Sequence, residues 1–249
     1  MTYVDTPSGR LLVGDRETLF KAKADAVVAA ARRAAEHPGG PVVALTGGST
    51  PKAWYPWVVE TGALPEDVVE VLTWTVSDER HVPLNNPDSN FGTAQHLLLD
   101  PLDVPARRRL PWPTDHEAPE AASLYARYFQ TRFGRERCYD LCILGMGEDG
   151  HTASLFPGSP LIGSPEEAET PFSALQIPDK GWRLTINESG LNRCSRILQI
   201  VTGANKAEML KRVLEGPFDP HRLPSQLLRN FRDRVTILAD EDAASLLGA

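Results

Sequence analysis

No run of apolar residues in this 249-residue chain approaches the roughly 18 that a membrane-spanning helix needs. The opening "MTYVDTPSGRLLVGDRE" has no basic segment followed by an apolar one. Neither membrane insertion nor export is expected, and the expected location is the cytoplasm. Cysteine is scarce: Cys138, Cys142 and Cys194 are the three present, no two have C-x-x-C spacing, and an odd number cannot all pair. This excludes a disulfide framework and a cysteine zinc site. Cys142, inside the strand-like "YDLCILGMG", reads as a small buried hydrophobe. His81 and His96 lack companions at metal-ligand spacing, and no H-x-x-x-H pair occurs. No metal is expected. Cations are outnumbered, 26 Lys and Arg against 33 Asp and Glu, for a formal net charge of −7. That balance repels phosphate backbones unless basic residues gather on one face. The tight run Arg107, Arg108 and Arg109 reads as a solvated turn, so nucleic acid is not an expected partner.

What is present is an ordinary globular composition, 41% hydrophobic and 24% charged, which excludes a disordered chain. Helix and strand signals alternate throughout. Residues 15–37 are rich in Ala, Lys, Glu and Arg at helical spacing and stop at Gly39, Gly40 and Pro41. "PVVALT" is a continuous apolar run suited to a strand covered on both faces. "VEVLTWTVSDER" reads as a second strand ending near Ser77, residues 90–99 as a helix, "ASLYARYFQTRFG" as a helix closed by Gly134, and residues 139–146 as a third, central strand. "FSALQI" and "WRLTI" read as shorter strands. "RILQIVT", the helical "GANKAEMLKRVLEG" and "RVTILAD" complete the series. With no repeat, low-complexity tract or long linker, the expectation is one domain over residues 1–249: an α/β fold with a doubly wound, mainly parallel sheet flanked by helices, Rossmann-like in kind. The Pro-rich stretches 101–113 and 157–171 read as loops. Ligands of such sheets collect at the carboxyl ends of the strands, so the residues just after each strand carry the functional question.

After the first strand comes Thr46-Gly47-Gly48-Ser49-Thr50-Pro51 and then a helix. The glycines let backbone approach an anion, Ser49 and Thr50 add hydroxyls, and the helix aims its positive end at the same point. A phosphate or carboxylate suits this turn, although a βα turn whose glycines serve packing alone has the same pattern. It is not a Walker A loop, which needs a Lys directly before the Ser or Thr. After the second strand, Asp78 and Arg80 stand two apart and can face one side; such a charged run is also what a solvated loop looks like. Lys206 falls in the first turn of the helix after "VTG", where a cation opposes the helix dipole unless an anion sits beside it. Arg183, in "WRLTI", has packing on an aromatic ring as its other reading.

After the third strand, Gly145, Gly147 and Gly150 make a G-x-G-x-x-G match. A dinucleotide fingerprint also requires a helix to begin within the glycines and an acidic residue about 20 positions on, at the end of the next strand. Here the glycines run into His151, Thr152 and a Pro- and Gly-rich stretch, and Glu166, Glu167 and Glu169 follow no strand. No nucleotide cofactor is expected. What remains is a histidine at a strand end, where a general base for attack on a carbonyl carbon would stand. Asp149 is two residues away and able to hold its ring. A histidine that caps a short helix or bonds a carbonyl is the alternative.

Taken together, "ALTGGSTPKAWY", "SDERHVPLNNPDSNFG", "DLCILGMGEDGHTASLFPGS", "WRLTI" and "TGANKA", in this order over residues 43–207, resemble the 6-phosphogluconolactonases. The resemblance implies hydrolysis of 6-phospho-D-glucono-1,5-lactone to 6-phosphogluconate in the pentose phosphate pathway, without metal or nucleotide. It implies a single α/β domain of the glucosamine-6-phosphate deaminase type with a sugar phosphate lactone as partner; the expected assembly, which the resemblance does not fix, is a monomer or weak homo-oligomer. By it, His151 is the catalytic base with Asp149 in support. Gly47, Gly48, Ser49, Thr50, Arg80 and Lys206 surround the phosphate, and Asp78 and Arg183 lie along the substrate. For such a reaction the oxyanion is expected to meet backbone donors of the loop 145–150, Gly147 and Gly150 among them, or a nearby cation. The related deaminase shares several of these motifs. Its loop resembles "GHIAFNEP", with a carboxylate five residues after the His, where this chain has Phe156, and it has a Tyr where Arg80 stands. A sugar-phosphate sensor without catalysis would need neither His151 nor Asp149.

Overall fold

The structure, a computed structural model, describes residues 2–163 and 170–248. The chain opens with a hairpin, β1 (Tyr3–Thr6) and β2 (Gly9–Val13), followed by α1 (Arg16–Arg33), β3 (Val42–Leu45), α2 (Ser49–Thr61), α3 (Glu66–Val71) and β4 (Thr73–Val76). Next come β5 (Asp78–Arg80), α4 (Asn90–Ala94), α5 (Ala118–Phe133), β6 (Leu141–Leu144), β7 (Phe172–Ile177) and β8 (Gly181–Ile186). The chain ends with α6 (Glu188–Asn192), β9 (Ile197–Val201), α7 (Ala207–Glu215), β10 (Val235–Ala239) and α8 (Glu241–Ala244).

The main sheet has seven strands in the order β1-β2-β10-β9-β6-β3-β4, parallel throughout except for the antiparallel pair β1 and β2. Every residue of β3, β4, β6 and β9 is buried, as helices on both faces require. The doubly wound, mainly parallel sheet expected from the sequence is present. The helices start and stop where local chemistry directs. Asp15 caps α1 by accepting from the Thr18 amide at 2.8 Å, and Arg32 and Arg33 stand in its last turn, where they complement the dipole. α1 ends at Arg33 rather than His37, because the chain turns over the His37 to Ala34 backbone bond toward Gly39 and Gly40.

Three readings are corrected by the structure. β1 and β2, in a stretch with no strand expected, extend the sheet beyond β10. The strand read from "VEVLTWTVSDER" ends near Ser77 as expected but starts later: residues 69–71 finish α3, β4 covers only Thr73–Val76, and the chain then changes sheets. Ser77 makes the handover, its amide donating to Leu45 O of the main sheet at 2.7 Å while its carbonyl accepts from the Ile186 amide at 2.9 Å. Beyond it β5 joins a second, antiparallel sheet, β5-β8-β7, so "FSALQI" and "WRLTI" form a hairpin outside the main sheet. An aromatic cluster fastens that small sheet to α5: Trp112 stacks on Tyr125 at 4.0 Å, and Phe172 meets both rings edge-on. Arg109 is also not a solvated residue of a basic turn. Its guanidinium donates to Val104 O at 2.8 Å and pairs with Asp100, while its backbone bridges Trp74 and covers the β4 edge.

Candidate active site

The strand order reverses between β3 and β6. From β3 the chain moves outward to β4, then returns to the other side of β3 as β6 and continues to β9 and β10. The loops after β3 and β6 therefore diverge and leave a crevice at the carboxyl ends of the strands. A cleft of about 220 Å³ lies there, lined by Thr46, Gly47 and Gly48 after β3, Asp78 and Arg80 of β5, and Asn90 of α4. Gly145, Met146, Gly147, His151 and Ala153 after β6, with Lys206 after β9, complete its wall. Segments far apart in sequence meet because four neighbouring strands end at one level.

The loop after β6 is built around a histidine–carboxylate pair. Asp149 Oδ1 lies 2.6 Å from His151 Nδ1 and accepts from the His151 amide at 3.1 Å. Partial burial opposes ionisation of Asp149, but the hydrogen bonds and charge of His151 outweigh it and hold the carboxyl below its usual value. An ionised carboxylate only accepts, so Nδ1 carries the hydrogen and Nε2 is left as the basic nitrogen. Gly147 makes room for this pair: a Cβ there would lie 2.0 Å from His151 Nδ1 and 2.5 Å from Asp149 Oδ1. Among the described residues, no helix begins within the glycines or in residues 151–163 after them. Thr152 and Leu155 instead form an isolated bridge around a tight turn in which Ala153 has φ of 47°, and a dinucleotide fingerprint is absent from the backbone as well. The acidic run Glu166, Glu167 and Glu169 lies outside the described residues.

Of the residues singled out in the sequence, Gly47, Gly48, Asp78, Arg80, Gly147, His151 and Lys206 line the one cleft, with Asp149 behind His151. Asp78 is buried and ties two walls together, accepting from Ser154 Oγ at 2.7 Å and from Ser77 Oγ at 3.3 Å. Arg80 reaches across the opposite wall to donate to Asp88 O at 2.7 Å. Other residues are placed elsewhere. Ser49 and Thr50 begin α2 and line the neighbouring hollow with Arg16, Thr202 and Asp240, and Thr50 Oγ1 is bonded to Thr202 Oγ1 at 2.6 Å. The rotation of about 100° per residue at a helix start turns their side chains away from the glycines they follow. Arg183 stands in register with Arg80 but turns its guanidinium onto the hairpin backbone, donating to Lys180 O and Trp182 O. Gly150 packs toward Met209 and Leu223. The amides of Gly147 and Gly150 donate to His151 O and Gly147 O, so neither is free to meet an oxyanion.

Two residues of the site were not singled out. Asn90 lines the cleft, donates Nδ2 to Asp78 O at 2.9 Å, and presses so closely on Gly47 that a Cβ there would lie 2.0 Å from its Oδ1. Its signal was its place in "PDSNFG", where Ser89 caps α4 by accepting from the Gly92 amide. Glu79, between Asp78 and Arg80, is fully buried and accepts from the amides of Arg80, Asn90 and Phe91 and from Ser89 Oγ. Burial pushes its carboxyl up to about 7 against the opposing pull of those four donors. It fixes the start of α4, and through Asn90 the floor of the cleft.

Gly147→Ala tests how tightly the pair is fitted. The added methyl displaces His151 or Asp149, and kcat is expected to fall by about 10² for a shift on the order of 1 Å. Gly147 is buried, so some loss of unfolding temperature should accompany this, and kcat is compared at a temperature where both proteins are folded. An Ala variant with native kcat would show that the loop relaxes freely.

Comparison with known proteins places this architecture. The sequence model for "Glucosamine-6-phosphate isomerases/6-phosphogluconolactonase" matches residues 14–237. A 6-phosphogluconolactonase of Synechocystis is 33% identical over 213 residues, covering 84% of this chain and 85% of that one. The 6-phosphogluconolactonase of Homo sapiens is 33% identical over 187 residues, 74% of this chain and 72% of that one. In fold, the solved 6-phosphogluconolactonase from Trypanosoma cruzi superposes with a TM-score of 0.81 at 24% identity, covering 100% of this chain and 99% of its own. With residues 14–237 matched by that sequence model and two relatives 33% identical over most of the chain, this chain belongs to the glucosamine-6-phosphate isomerase/6-phosphogluconolactonase family.

Proposed function

We propose that the chain hydrolyses 6-phospho-D-glucono-1,5-lactone to 6-phospho-D-gluconate, with His151 as general base. The observation that carries this reading is the Asp149–His151 pair, 2.6 Å apart at Nδ1, on the wall of a cleft that also holds Arg80 and Lys206. Asp149 fixes the tautomer, so Nε2 takes a proton from water as the water oxygen attacks C1 of the lactone. The tetrahedral intermediate collapses by breaking the bond from C1 to the ring oxygen. His151 then returns its proton to that oxygen, leaving an open-chain acid. Lys206 and Arg80, with the Gly47 and Gly48 backbone and the amino end of α2, hold the phosphate. That remote anchor supplies binding energy to orient the ester over the base, so an unphosphorylated lactone should lose rate as well as affinity.

The family name also covers sugar-phosphate isomerases. Against that reading, the position five residues beyond His151 is Phe156, which offers no group for ring opening. A sensor without catalysis would have no use for the Asp149–His151 pair. The deciding experiment supplies the protein with freshly generated 6-phosphogluconolactone and, separately, with glucosamine 6-phosphate. Lactone consumption without ammonia release is the expected result, and ammonia release would overturn the proposal. In the same assay Lys206→Ala should raise KM by about 10-fold or more, the value of a charge-assisted hydrogen bond, with kcat less affected. An unchanged KM would remove Lys206 from the phosphate site.

A further inference from the structure

We infer that Phe156 is a positioning residue: its ring stacks on the His151 imidazole and fixes the plane in which Nε2 meets the substrate. The inference rests on the lactonase reading above. Its basis is the turn after His151. Thr152 and Leu155 pair as an antiparallel bridge, the Leu155 amide donating to Thr152 O at 2.9 Å, and Ala153 supplies the left-handed residue that closes the turn. In such a miniature hairpin the flanking residues, 151 and 156, form the next facing pair. Their rings lie with centroids 4.3 Å apart and planes 28° from parallel.

The turn is itself held. Ser154 Oγ donates to Asp78 Oδ2 at 2.7 Å, and the Ser154 amide donates to Thr185 Oγ1 at 3.2 Å, so the segment that carries Phe156 is attached to β5 and β8. Lys180, at the β7–β8 turn, places its Nζ 5.8 Å from the Phe156 ring centroid. The small sheet thereby reaches His151 through Phe156. The bond from Nδ1 to Asp149 fixes one direction in the imidazole but leaves the ring free to rotate about it. Contact with a second ring removes that freedom, because tilting the imidazole would break the stack. Asp149 sets which nitrogen is basic, and Phe156 sets where that nitrogen points.

The test uses Phe156→Leu, which keeps an apolar side chain without a ring plane, and Phe156→Tyr, which keeps the plane. Two readouts are taken on folded protein with unchanged unfolding temperature. The first is the imidazole Cε1–H resonance of His151, identified by its loss in His151→Asn, without substrate. Ring current from a stacked phenyl shifts it upfield, and it should move downfield in the Leu variant and stay in place in the Tyr variant. The second is turnover of 6-phosphogluconolactone, where Phe156→Leu should lower kcat by about 10-fold or more with KM unchanged, and Phe156→Tyr should restore it. A resonance that does not move, a kcat that does not fall, or a Tyr variant as slow as the Leu variant would each overturn the inference. If the wild-type protein consumes no lactone, the proposed function fails by itself, and the resonance alone decides whether Phe156 holds the ring.

Discussion

His151→Ala is expected to lower kcat for 6-phosphogluconolactone by about 10²–10⁴, the range a positioned general base contributes. KM should change little, because the groups assigned to the phosphate, Lys206 and Arg80, belong to other elements of the cleft and are not bonded to His151. The loss has a floor: a δ-lactone opens slowly in water unaided, and the anchored substrate still meets water in the Ala variant. The measurement is therefore initial rate at saturating lactone, corrected for the reaction without enzyme. Equal rates for native and variant protein would remove His151 from the mechanism, whatever the family resemblance. A rise in KM with kcat preserved would move His151 from chemistry to binding.

The site was legible in the sequence to the extent that it lies directly after buried parallel strands. Continuous apolar runs such as "VVAL" and "LCIL" mark those strands, and in a doubly wound sheet the next residue is already at the functional end. Gly47, Gly48, Gly147 and His151 were found in this way and do face one cleft. Ser49 and Thr50 were assigned to it for their hydroxyls and by the resemblance, but the helix that begins at Ser49 takes their side chains into the next hollow. The second sheet escaped because β5 is three residues long and wholly charged, a composition that normally means a solvated loop. What makes it a strand is tertiary: Glu79 is buried because a later segment, residues 89–91, brings it three donors. Nothing local announces that. The stacking of Phe156 on His151 was hidden for a similar reason, since the pairing depends on a turn that a left-handed Ala153 closes, and alanine is not a residue that signals such a turn.

Glu79→Ala should be strongly destabilising, lowering the unfolding free energy by about 3 kcal/mol or more in slightly acidic solution, at about 1–3 kcal/mol for each buried donor left without a partner. The substitution leaves three backbone amides and the Ser89 hydroxyl facing a void where the carboxyl stood. Each buried donor without a partner is costly, and α4 loses the group that fixes its first turn. The size of the effect should depend on pH in a definite direction. Burial raises the folded-state carboxyl to about 7 from its ordinary 4.5, so between those values the folded protein holds a proton that the unfolded chain releases. The stabilisation linked to that proton is fully present below the unfolded value and is lost as pH rises through 7. The penalty of Glu79→Ala should accordingly be greatest near about pH 5 and shrink toward about pH 8.5, where the wild-type carboxylate is itself costly to bury. Urea midpoints of both proteins at the two pH values give the comparison, provided the slopes agree. A penalty that grew with pH would mean that the four donors govern Glu79 and keep it ionised, and burial would not be the dominant influence on it. Because Asn90 begins α4 and also lines the cleft, the same variant should lose lactone turnover before it loses its fold, which separates damage to the cleft floor from global unfolding.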